Sequence, residues 1–110
     1  MMIPPNNPAR FCEPEVFETL YRFNARLSLQ VESTMYLCVL RAPDSPTAEA
    51  LVQYLQTNLY HGEVIFEKEP CVYYMQAFAD SEEEIIIRLD DARECVPGVS
   101  TQYMPIPKED

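Results

Sequence analysis

Apolar and polar residues change period several times along this chain, and each change marks an element. After Pro14, a favourable first helical residue, Val16, Phe17, Leu20 and Tyr21 recur at i, i+1, i+4 and i+5. That spacing predicts a helix over 14–24 with one face to bury. Leu27, Leu29 and Val31 then alternate with Ser28, Gln30 and Glu32, the period of a strand with one wet face. Beyond a turn at 32–34, residues 35–41 are apolar on both alternating sets: Met35, Leu37 and Val39, and Tyr36, Cys38 and Leu40. This predicts a strand buried on both faces.

Pro43 breaks that strand, and Ser45 as N-cap with Pro46 at the first helical position opens a second helix. Ala48, Leu51, Val52, Leu55 and Leu59 carry its stripe, with Gly62 as the residue that stops it. Residues 63–67 read as a short strand, Glu69-Pro70 as a turn, and 71–79 as a strand apolar on both faces, so the pair predicts a hairpin. Ser81 and Glu84 have capping-box spacing, and Ile85, Ile86, Leu89, Ala92 and Val96 carry a third helix to Pro97-Gly98. Residues 99–105 predict a last strand at an edge, because Pro105 and Pro107 have no N–H to donate.

From Met35 onward the order is strand, helix, strand, strand, helix, strand. This is the α+β, split βαβ or ferredoxin-like pattern: an antiparallel sheet with two crossover helices on one face, here with an additional N-terminal helix and strand. Since both central strands are apolar on both sides, the second sheet face needs a cover. Two candidates are open, the N-terminal helix and a second copy of the chain.

A chain of 110 residues is the size of one domain. The expected division is a Pro/Asn-rich extended arm over 1–13, a single domain over 14–107 and a charged tail over 108–110. The hydrophobic fraction of 47%, with twelve Phe and Tyr, excludes a fully disordered chain. Cys12, Cys38, Cys71 and Cys95 are widely spaced, with no pair at zinc or redox spacing. They read as small hydrophobes in a reducing compartment, Cys38 and Cys71 inside strands. No signal peptide or membrane span is legible, so the expectation is a cytoplasmic protein without a membrane partner.

Catalytic signatures are missing. The two glycines each stand at a helix end, which leaves none for a phosphate loop, and the single histidine, His61, reads as a helix C-terminal cap. Tyr36, Tyr73 and Tyr74 fall on strands without the basic and glycine residues of an RNA-binding sheet, so direct nucleic-acid binding is not expected. An enzyme that holds an anionic substrate on Arg41 or Arg88 has no spacing in its favour. No cofactor or metal is expected, since the acidic run is helical and lacks the glycine turn of a calcium loop.

Charge is the distinctive feature. The net charge is -10, and residues 61–110 hold twelve acids against four bases while the first sixty hold six against four. Such a field steers basic surfaces toward the second half. Acids in a first helical turn also complement the helix dipole, which is their structural role. The function that follows is a small non-enzymatic interaction or regulatory protein that binds a basic protein partner through Glu82, Glu83, Asp90, Asp91 and Glu94. One form of it is an inhibitor that mimics nucleic-acid charge. The alternative is a dimeric small-ligand sensing domain, with the homodimer interface as its site.

Overall fold

The computed structural model describes residues 11–27, 33–60 and 62–107. The chain forms α1 (Pro14–Leu27), β1 (Thr34–Arg41), α2 (Ser45–Thr57), β2 (Val64–Glu69), β3 (Val72–Ala79), α3 (Glu82–Cys95) and β4 (Ser100–Pro105). The four strands make one antiparallel sheet in the order β2-β3-β1-β4. Each crossover therefore skips a strand: α2 joins β1 to β2 across β3, and α3 joins β3 to β4 across β1. That is the split βαβ arrangement expected from the order of elements.

Burial explains the layers. Tyr36, Cys38 and Leu40 of β1 and Tyr73, Met75, Ala77 and Ala79 of β3 face one side with Ile65. Against them pack Ala48, Leu51 and Leu55 of α2 and Ile85, Leu89 and Ala92 of α3, one core with both crossover helices on one face. On the other face Phe17 of α1 joins Val64 and Phe66 of β2, with Leu20, Tyr21, Leu37 and Tyr74 half-buried around them. The first helix is thus the cover, over the β2–β3 half of the sheet alone. Leu37 and Val39 stay half-exposed and Met104 of β4 is 54% exposed, so β1 is fully buried on one face, not on both.

Several local expectations are corrected. α1 runs on to Leu27, so the strand expected at Leu27, Leu29 and Val31 begins inside a helix, and 28–32 lie outside the described residues. The arm over 1–13 is described only at 11–13, where the Cys12 N–H donates to the Ile65 carbonyl at 3.0 Å and Phe11 bridges β2. The tail at 108–110 also lies outside the described residues. α2 is capped by Asp44, whose carboxylate accepts from the Thr47 N–H at 2.9 Å, and Pro46 takes the second helical position. The cap therefore stands one residue earlier than Ser45, with the Asp44 carboxylate as the acceptor. That helix ends at Thr57 with Asn58 as its cap, and Gly62 (φ 88°) instead turns the following loop into β2. Cys71 is not in a strand: it turns the β2–β3 hairpin at φ 67° and is half-buried.

Candidate functional site

The sheet leaves α3 as the outermost element beside β4, and its sequence decides what it presents. Three isoleucines in a row, Ile85, Ile86 and Ile87, cannot share one face at 100° per residue. Ile85 enters the core, whereas Ile86 is 40% and Ile87 52% exposed. The stripe expected through Ile86 is therefore carried by Ile85, Leu89, Ala92 and Val96.

All five acids expected to bind a partner are exposed on α3, but they do not form one cluster. Glu83, Asp90 and Glu94 lie at i, i+7 and i+11, one helical face with Ile87 between them. Glu82 turns toward β4 and accepts from the Tyr103 hydroxyl at 2.9 Å, a bond that pushes the Tyr103 pKa up. Asp90 pairs with Arg93, which also donates to the Thr101 hydroxyl. Asp91 points to the other flank, where it lines a cavity of about 80 Å³ with Tyr54, Asn58, Tyr60 and Arg88.

The helix start that aims these groups follows the sequence. Ser81 caps α3 by accepting from the Glu84 N–H at 3.4 Å, while the Glu84 carboxylate reaches back to the Asp80 N–H at 3.1 Å, one residue before the usual capping-box donor. Between α3 and β4 runs a groove of about 440 Å³ lined by Ile86, Leu89, Asp90, Arg93, Thr101 and Tyr103. β4 is a sheet edge, and the opposite edge, β2, is bridged by Phe11. The groove thus joins an apolar floor, carboxylates and a strand edge that no other described strand pairs.

A second polar cluster, with almost no local signature in the sequence, holds α3 in place. Glu63 is fully buried, and its carboxylate accepts from both Arg88 terminal nitrogens, at 2.6 and 2.9 Å, and from the Tyr60 and Phe78 N–H groups at 2.9 and 3.0 Å. Arg88 also donates to the Asn58 carbonyl at 3.2 Å and lies over the Tyr60 ring, 4.2 Å from its centre. Burial alone would lower the Arg88 pKa, but hydrogen bonding and charge attraction from Glu63, with smaller contributions from Tyr60 and Cys38, together push it up. A guanidinium so engaged has no fork left for an anionic substrate, and Arg41 donates to Gln102 at 2.9 Å. The signal was faint: one acid and one base 25 residues apart, each ordinary in its own segment.

Cys38 is buried, Cys12 and Cys71 half-buried and Cys95 exposed, all as free thiols. Burial pushes the Cys38 thiol up to about 12, which keeps it protonated and unreactive at neutral pH. Among the described residues no group of three His, Cys, Asp or Glu side chains is placed to hold a metal. No helix there is long and apolar enough to cross a membrane. His61 lies outside the described residues.

The class that this architecture defines is a small α+β domain with a four-stranded antiparallel sheet and three helices. Among solved structures the chain is similar to the crystal structure of a DGC protein from Thermotoga maritima. The TM-score is 0.68 at 11% sequence identity, over 86% of this chain and 80% of that one, a likeness of fold alone. No family profile and no curated protein sequence matches the chain.

Proposed function

We propose that this protein is a non-enzymatic, cytoplasmic interaction module that binds a protein partner with a basic surface through the outer face of α3 and the groove beside β4. The observation that carries the reading is the pair of exposed isoleucines, Ile86 and Ile87, set among Glu83, Asp90 and Glu94. Exposed apolar side chains rimmed by charge mark protein-binding surfaces, and the acids supply steering and choice of partner. An inhibitor acting purely as a mimic of nucleic-acid charge gains nothing from two isoleucines, so the reading favours a partner with both basic and apolar groups. The β4 edge, which no other described strand pairs, suits an extended segment of that partner, which would add main-chain hydrogen bonds along the groove.

The test is capture from native extract at low and high salt. Expected is one basic protein held at low salt and released at high salt, as screening of exposed charge requires. Capture should be lost with Glu83→Lys plus Glu94→Lys and with Ile87→Ser, and kept with Asp91→Lys, whose side chain faces the other flank. Salt-independent capture, or capture indifferent to both sets of changes, overturns the proposal.

A further inference from the structure

The half-covered face of the sheet carries a groove lined by no residue of α3. Where α1 stops short of β1, a groove of about 570 Å³ opens between Phe17 and Tyr21 of α1 and Leu37, Phe66 and Tyr74 of the sheet, with Lys68 at its rim. That volume lies within the range of small-ligand clefts, about 300–1,000 Å³. Its floor is aromatic. Phe17 and Phe66 are 4.5 Å apart and tilted, and Phe66 and Tyr74 meet edge to face at 5.5 Å. These rings are already packed on one another and form a floor, not a slot between parallel planes, which suits a flexible apolar chain better than a flat ring.

Charge identifies the other end of the ligand. Arg22, at the α1 rim, is tied to Glu18 at 2.7 Å, Arg88 to Glu63 and Arg93 to Asp90, while Arg41 donates to Gln102. Among the basic side chains described, those of Arg22, Arg41, Lys68, Arg88 and Arg93, that of Lys68 is the one with neither a carboxylate nor a hydrogen-bonding partner, its ammonium 5.9 Å from the centre of the Tyr74 ring. In a chain with ten more negative than positive charges, this unpaired cation stands beside an aromatic groove. Glu18 and Arg22 also line the groove but neutralise each other, so one unpaired cation beside an apolar floor matches a molecule with a single anionic head and an apolar tail.

We propose that this groove binds a free medium-chain monocarboxylate, its chain along Phe17, Phe66, Tyr74 and Leu37 and its carboxylate on Lys68. The experiment is calorimetric titration of the full chain with dodecanoate below its micellar concentration and, as neutral control, dodecanol, with ring signals of Tyr74 and Phe66 followed by NMR. One dodecanoate per chain is expected, shifting those rings. Lys68→Ala, an exposed position that leaves the core intact, should weaken dodecanoate about two- to fivefold, the worth of an exposed ion pair, and leave dodecanol unchanged. No binding, or binding of both probes that ignores Lys68→Ala, overturns the proposal. A dimer in light scattering that Leu37→Asp dissociates, with no dodecanoate bound to the wild-type chain, also overturns it and assigns the face to a second copy.

Discussion

Cys71 holds a backbone conformation that L residues rarely adopt, φ 67°, because Pro70 and the short β2–β3 connection demand a left-handed residue there. Its carbonyl accepts from the Ala42 N–H at 2.8 Å, which ties the turn to the end of β1. Cys71→Gly keeps that bond and removes the Cβ conflict, so it should stabilise the fold by up to about 1 kcal/mol, read as a rise in the urea midpoint. Cys38 acts at the same scale through its proton. Its thiol is raised from an ordinary 9.0 to about 12, so the unfolded chain ionises first as pH rises. Stability from this group is full below about pH 9 and falls between 9 and 12, by about 1.4 kcal/mol per pH unit at most. Tyr73, pushed up to about 12 by burial and by Glu67, adds to the loss above about pH 10. Urea midpoints across pH 8–10 should therefore decline for the wild type and flatten in Cys38→Ala.

At the scale of elements, the Glu63–Arg88 pair bolts α3 to the start of β2 and the end of β3. Removing one partner leaves a buried charge uncompensated. Arg88→Ala should cost about 3–5 kcal/mol, whereas Glu63→Met with Arg88→Leu, which removes both charges, should cost far less. Comparing denaturation midpoints of the single and double variants checks this. A double variant as unstable as Arg88→Ala would mean that losing the bonds from the Tyr60 and Phe78 N–H groups, which only the double variant loses, costs as much as leaving the Glu63 charge unpaired. The N-terminus of α3 behaves more simply: Ser81→Ala removes the acceptor for the Glu84 N–H and should cost about 1 kcal/mol.

For the whole molecule, the two hydrophobic clusters are unequal. The larger lies between the sheet and α2 and α3; the smaller ties α1 to β2 through Phe17. Phe17→Ala removes the one buried side chain that α1, among its described residues, contributes to that cluster, a loss of about 3–5 kcal/mol if the site does not collapse. Because the larger core does not depend on it, hydrogen exchange should show α1 losing protection while β1 and β3 keep theirs. Equal loss everywhere would mean that α1 and the βαββαβ unit open as one cooperative body.

Much of this architecture was legible in the chain itself. Helix stripes, strand alternation, the Ser81 cap and the proline breaks act between residues a few positions apart, so their periods and spacings appear in any window of sequence. The order of elements then pointed to the split βαβ sheet. What the tertiary structure alone decided depends on distances between segments remote in the chain. Periodicity showed that β1 was apolar on both sides, yet only the position of α1 determined that the β2–β3 half is covered and that no described helix covers the β1–β4 half. Composition placed five acids on α3, and the packing of Ile85 set the helix rotation that groups Glu83 with Asp90 and Glu94 and turns Glu82 and Asp91 away. Glu63 and Arg88 carry no local signature, and they meet because two crossovers bring β2 and α3 together; a sequence states each charge but not its neighbour in space.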